Sequence, residues 1–257
     1  MLKKCSKKTF NVFLAIAFWF LIWEAASFLI NDNLKLFLPA PHVVIVALSR
    51  LFGELSFWQS VSLTLLRIFT GFIFGVIFGI VIGILTSSFK LLDIILSPAL
   101  RVVRAVPVVS FIILAYLFIN VNYLPVFICF LMVMPLIWQT VHDKLVSFDT
   151  ELSEMAKVFN ISGRKYLLFV KLPAISDAII STMINGIGLA WKSGVASEVL
   201  CTPAISLGKN LYRAKGNINY DEVYAITLTV VMLSIIIELL IKFAYNKQAV
   251  ISEGKNG

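Results

Sequence analysis

The sequence predicts an all-α, polytopic membrane helical bundle of six transmembrane helices, with five as the alternative, and a helical hairpin in its longest polar loop. Three observations carry this. Of the 257 residues, 60% are apolar and only 14% charged, against about 45–50% and 25% in soluble globular chains. The mean hydropathy is +0.94. The apolar residues are also gathered into runs long enough for a helix to cross hydrocarbon, which takes about 20 residues at 1.5 Å each. This composition excludes a disordered chain, a coiled coil and a disulfide scaffold, and it argues against a soluble enzyme. The length suits one domain spanning 1–257.

The elements follow in order. An apolar run over 9–29 stands behind the basic start Met1-Leu2-Lys3-Lys4-Cys5-Ser6-Lys7-Lys8. It resembles a secretory leader, yet it continues past Glu24 to Ile30 without a convincing cleavage site. It is therefore read as an uncleaved first helix. Leu38-Pro39-Ala40-Pro41 is stiff and extended, because residues preceding proline avoid the helical region. Val43, Val44, Ala47, Leu48, Leu51, Phe52 and Leu55 then recur at helical spacing, with Arg50 and Glu54 opposite. That pattern predicts a short amphipathic helix along the outer interface, with Phe57 and Trp58 in the aromatic belt.

The second span, 68–87, carries Gly71, Gly75, Gly79 and Gly83, each four residues after the last. Such a stripe lets a neighbouring backbone approach closely, so a tight helix–helix seam is expected. The next apolar run, Ala105–Ile119, holds only 15 residues. It reaches span length, 102–119, if the helix starts near Arg101 and Arg104 snorkels to the interface. This segment separates six spans from five. Spans over 124–142, 174–198 and 223–241 complete the set.

Charge sets the orientation. The chain has 22 Lys and Arg against 14 Asp and Glu, a net charge of +8. With six spans, 15 basic residues fall in 1–8, 88–105, 143–174 and 242–257, and 6 fall in 30–67, 120–123 and 199–222. Cytoplasmic loops carry the basic excess, so both termini and the 143–173 loop are expected in the cytoplasm of a multi-pass plasma (inner) membrane protein. In a membrane protein the excess reports loops beside anionic lipid headgroups, not nucleic-acid binding. Cys5, Cys129 and Cys201 lie far apart without CxxC spacing, and no metal, cofactor or disulfide is expected. No GxxxxGK[ST] phosphate loop is present, since Gly208-Lys209 and Gly254-Lys255 lack its spacing and its Ser/Thr. His42 and His142 have no nucleophile partner in sequence. The chain is not read as an enzyme.

Two segments hold candidate functional residues. In the 143–173 loop, Asp149 or Thr150 caps a short helix through Glu154-Met155-Ala156-Lys157-Val158-Phe159, with Glu151 and Glu154 favourably placed against its dipole. Asn160 tolerates the left-handed conformation that ends helices. Ser162 caps a second helix through Tyr166 and Leu168, closed by Leu172-Pro173. The hairpin suits a protein docking surface; a plain interfacial linker is the alternative. In the fifth span, Ser181, Asn185, Gly188 and Lys192 follow spacings of 4, 3 and 4 and share one helix face. Ionisable groups at this depth are costly and imply a function or a partner. Lys192 attracts an anionic solute on a translocation path, pairs with Glu24, Glu198 or Glu238, or snorkels outward. The Ala204–Arg213 stretch reads as a short surface helix on the outer side, open to an acidic partner or to solvent.

Glu154-Met155-Ala156, Asn160-Ile161-Ser162 and Lys171-Leu172-Pro173 resemble the EAA loop of binding-protein-dependent ABC importer permeases. Met155 stands where that loop usually has Ala, and Asn160 where it usually has Gly. Leu38-Pro39-Ala40-Pro41, Ser62 to Arg67, the glycine run from Gly71, and Gly188-Leu189-Ala190-Trp191-Lys192 followed by Val195-Ala196-Ser197-Glu198 are similar to the branch handling nitrate, sulfonates, taurine and thiamine precursors. The resemblance implies a second permease copy, in a homodimer, with two cytoplasmic ABC ATPase subunits and an extracytoplasmic solute-binding protein. It implies that Glu154, Met155, Ala156, Asn160, Ser162, Leu172 and Pro173 form the ATPase-coupling hairpin, with Asn160 at its turn. Ser181, Asn185, Gly188, Trp191 and Lys192 would then line the solute path. An ion-coupled secondary transporter is the main rival, though the halves show no inverted repeat of the kind common in that class. An intramembrane enzyme lacks a catalytic constellation at one depth.

Overall fold

The computed structural model describes residues 2–29, 37–148, 154–155, 158–159 and 161–253, and every regular element among them is helical. The helices are α1 (Leu2–Leu29), α2 (Pro41–Phe52), α3 (Leu55–Ser88), α4 (Lys90–Ala105) and α5 (Val108–Tyr116), then α6 (Leu124–Val146) and α7 (Gly163–Tyr166). A π-helical turn, Leu167–Lys171, leads into α8 (Leu172–Cys201), followed by α9 (Leu207–Gly216) and α10 (Tyr220–Glu253). Four stretches among the described residues are long and apolar enough to cross a membrane: Leu55–Ser88, Leu124–Val146, Leu167–Cys201 and Tyr220–Ile241. A bent pair, α4 with α5, makes a fifth if taken as one broken span. The chain divides into two compact units, Met1–Gln59 with Asn210–Val231, and Ser60–Lys209 with Met232–Gly257.

In the first unit, α2 forms as its pattern requires. Ala40 is extended, at φ −65° and ψ 146°, and Pro41 opens the helix, where a missing N–H costs nothing. Pro41, Val44, Ala47 and Leu51 make the buried face. Glu24 of α1 lies 3.1 Å from His42 of α2, and Ser27 donates to the Leu38 carbonyl at 3.1 Å. The Trp23 and Tyr224 rings stack at 5.6 Å between centroids. A cavity of about 500 Å³ is lined by Glu24, Ser27, His42, Asn219, Tyr220 and Asp221.

The second unit is built around α6, with α3 on one side and α8 on the other. The glycine stripe of α3 meets a matching stripe of α6. A Cβ added at Gly75, Gly79 or Gly83 would fall 2.7–2.8 Å from the Cβ of Val133, Ile137 or Val141. Gly71 faces Val126 and Cys129 in the same way. The expected seam is therefore present, with both stripes stepping by four residues. Gly194 of α8 closes the third side: its added Cβ would lie 2.7 Å from both Cys129 and Ile68. Ile112 and Ala115 of α5 pack with Leu124, Ile128 and Cys201 in a buried cluster.

The second span, expected at 68–87, lies within a helix of 34 residues that begins at Leu55. Gly53 and Glu54 are the last break before it; Ser56 to Arg67 are polar enough to lower the hydropathy but contain no helix breaker. The continuous helix expected over 102–119 is instead α4 and α5, bent by 103° at their junction. Val106, which precedes Pro107, is extended at φ −81° and ψ 132°, as the proline ring demands. Finally, Leu172-Pro173 does not close the second loop helix. Leu167–Cys201 runs as one 35-residue stretch. Pro173 sits in the first turn of α8. In the preceding π turn the Leu172 N–H reaches back five residues to the Leu167 carbonyl. The wider turn accommodates a proline that would otherwise clash with the carbonyl four residues back.

Candidate functional site

The loop region is described in part. Glu154 and Met155 are helical and exposed, and the Phe159 N–H donates to the Met155 carbonyl at 3.0 Å. Ala156, Asn160, and the capping positions Asp149 and Thr150 lie outside the described residues. Ser162 accepts the Tyr166 N–H at 3.0 Å through its carbonyl, so the second helix begins where expected. The base of the loop is drawn together. Phe148, at its start, meets Tyr166 edge-on at 6.4 Å. The Lys171 ammonium sits over both rings, 5.6 Å from Phe148 and 5.5 Å from Tyr166. Aromatic and cation–π contacts of this kind hold the two ends of the loop together.

The next contacts along α3 and α6 tie the helices together. The Trp138 indole donates to the Thr86 hydroxyl at 2.9 Å, and His142 Nδ1 lies 3.1 Å from the same oxygen. His142 Nε2 is 3.9 Å from Asp93 of α4.

On α8 the expected polar stripe is real. Ser181, Asn185 and Lys192 are exposed and Gly188 is half-buried, with open space where a Cβ would stand. Gly186, Ile187, Ala190 and Gly194 form the opposite, buried side. Trp191 belongs to the buried side, 3% exposed, and stands apart from the stripe it was grouped with. Lys192 makes no ion pair among the described residues. Of its candidate partners, Glu24 lies beside His42 and Glu198 beside Arg67.

The Glu198 site is the part that sequence reasoning missed. Its side chain is fully buried, at 0% exposure. Thr64 donates to one carboxylate oxygen at 2.8 Å, joined by the Gly208 N–H at 3.3 Å, and Arg67 donates to the other at 3.2 Å. Arg67 also donates to the Ile205 carbonyl at 2.7 Å, and Thr64 accepts the Leu207 N–H at 3.0 Å. One carboxylate thus pins α3, α8, the 202–208 loop and the start of α9. Ser206 adds a cap, accepting the Lys209 N–H at 3.0 Å. Arg67 and Glu198 each stand at the same predicted end of a span, and that shared level was the available signal.

A helical bundle with a glycine seam, a broken helix and a hairpin base fits a transporter component, and the comparisons decide which. Residues 71–248 match the family described as binding-protein-dependent transport system inner membrane component. The chain belongs to this family. The permease is 24% identical over 232 residues to a putative ABC transporter permease protein of Methanocaldococcus jannaschii, covering 88% of this chain and 86% of that one. It is 27% identical over 191 residues to a nitrate import permease protein of Leptolyngbya laminosa, covering 73% and 67%. A bicarbonate transport system permease protein of Synechococcus elongatus is 27% identical over 154 residues, covering 59% of this chain and 55% of that one. Among solved structures, the inward-facing MetNI methionine ABC transporter superposes with a TM-score of 0.63 at 19% identity, covering 75% of the permease and 94% of that chain. That likeness establishes the fold. The permease is thus a multi-pass membrane component of an ABC importer, and relatives of this kind are transport components, not enzymes.

Proposed function

We propose that this permease forms the path for a small anion across the plasma (inner) membrane and couples it to a separate cytoplasmic ABC ATPase through the 149–172 loop. Both termini and the loop face the cytoplasm, a second copy completes the path, and an extracytoplasmic binding protein delivers the solute. The observation that carries the path is the stripe on α8 formed by exposed Ser181, Asn185 and Lys192 with half-buried Gly188 between them. A polar stripe facing lipid would be costly, and such residues turn to a wet cavity or to another subunit. A lysine without an ion partner among the described residues favours anions, in keeping with the nitrate and bicarbonate permeases among the relatives. The drawn-in base at Phe148, Tyr166 and Lys171 supports a projecting hairpin, the form a docking element needs.

Two measurements test the two halves of this reading. Lys192→Met should lower anion uptake in proteoliposomes by about tenfold, by removing the attraction that concentrates the solute, while leaving ATPase association intact. Unchanged uptake would separate Lys192 from the path. Glu154→Lys should reduce co-purification of the ATPase by at least about tenfold, as a reversed charge at a docking contact does, with membrane insertion unaltered. Retained association would move the docking site away from the hairpin.

A further inference from the structure

We infer that Arg104 is a second cationic station on the solute path, holding the oxyanion group of the solute in a cavity opened by the break between α4 and α5. The inference rests on the reading of the α8 stripe as the path wall and adds the residue that selects charge beside it.

The break places the residue. The chain turns by 103° at Val106-Pro107, so α5 leaves α4 instead of extending it. A cavity of about 250 Å³ is left, walled by Val103 and Val106 near the break, Pro135 and Leu136 of α6, and Leu189 of α8. Arg104 is the charged group in this lining. Its side chain is exposed and makes no ion pair or hydrogen bond among the described residues.

The cavity adjoins the path. Leu189 follows Gly188, the stripe residue with open space over its Cα, and is itself 40% exposed. Lys192 is three residues further along the same helix, about 4.5 Å of axial rise. The cavity that Arg104 lines therefore meets α8 within about one turn of Lys192. The chemistries of the two cations differ. The lysine is a point charge, whereas the guanidinium presents a planar fork of donors that matches two oxygens of a carboxylate, nitrate or sulfonate group. An ammonium or neutral solute gains neither the charge nor the paired hydrogen bonds. A lipid phosphate offers the same oxyanion chemistry to an arginine at the end of an interfacial helix, and the experiment must separate the two sources.

The test uses full-length permease with its ATPase in proteoliposomes, with Cys5, Cys129 and Cys201 replaced by alanine. Single cysteines are placed at Leu189 in the cavity and Asn185 on the stripe. Each is reacted with an anionic, sulfonate-bearing thiosulfonate and a cationic, trimethylammonium-bearing one. At Leu189→Cys the anionic reagent should be preferred, and Arg104→Gln should lower the anionic-to-cationic rate ratio by about fivefold, the effect of one nearby charge in a wet site. Arg104→Lys should restore most of the preference, which a folding defect would not allow. The ratio should be the same in phosphatidylcholine vesicles and in vesicles containing phosphatidylglycerol. A ratio indifferent to Arg104→Gln overturns the inference, and a ratio that follows lipid charge assigns Arg104 to the headgroups instead. An unreactive Leu189→Cys beside a reactive Asn185→Cys removes the station and leaves the path; if neither reacts, the path reading fails with it.

Discussion

Arg67→Met is expected to destabilise the permease by about 3–5 kcal/mol, the cost of leaving a buried charge without its partner. The Glu198 carboxylate is fully enclosed, and Arg67 is its one cationic neighbour in the clamp. Removing the guanidinium leaves Thr64 and the Gly208 N–H to hold the anion alone. It also strips the Ile205 carbonyl of its donor. The loss should appear as a lowered thermal midpoint in detergent and as faster proteolysis of the 202–208 loop. Glu198→Gln should cost less, because the amide oxygen still accepts from Thr64 and the Gly208 N–H, while Arg67, at 13% exposure, keeps the Ile205 carbonyl. The double replacement Arg67→Met with Glu198→Leu should recover much of the stability, since apolar groups of similar size often substitute for a buried pair without penalty. If Arg67→Met melts with the parent, the clamp is dispensable.

The second large effect is expected at the seam between α3 and α6. Gly79→Val should cost about 1–3 kcal/mol or more, because the first added carbon already falls 2.8 Å from both the Ile137 Cβ and the Met134 carbonyl. Neither atom is the end of a flexible side chain, so the helices must part. Gly188→Ala is the matched control: its Cβ enters open space and should be tolerated. Thermal unfolding of the two variants side by side measures the difference. Equal stabilities would mean that α3 and α6 are not held in this register.

The seam was legible because a period of four is local and needs no knowledge of the partner. The amphipathic α2 was legible for the same reason: Pro41 sets its start and the apolar spacing sets its face. The break at Val106-Pro107 was also written in the chain, but hydropathy was allowed to outweigh the backbone rule for a residue before proline. Pro173 misled in the opposite direction. A proline ends a helix only where the preceding turn cannot accommodate it, and here a π turn does. The early start of α3 was hidden by Ser60, Ser62 and Thr64, which look like surface residues until Thr64 is seen against Glu198. The clamp showed in the sequence only as the shared level of Arg67 and Glu198, since Thr64 and Glu198 are 134 residues apart and meet only once α3 and α8 are neighbours. On α8 the helical spacing separates Ser181, Asn185, Gly188 and Lys192 from Trp191, which is off that spacing and belongs to the packed side.

The π turn at Leu167–Lys171 has a consequence for how motion would pass from the loop into α8. Such a turn holds one residue more than its α counterpart, and one residue is worth about 100° of azimuth but only about 1.5 Å of length. The short helix Gly163–Tyr166 is therefore swung roughly a quarter-circle about the axis relative to Ser181, Asn185 and Lys192. Deleting a single residue there would barely shorten the rod, yet it would point the loop at a different neighbour. What this short stretch specifies is the heading of the lever.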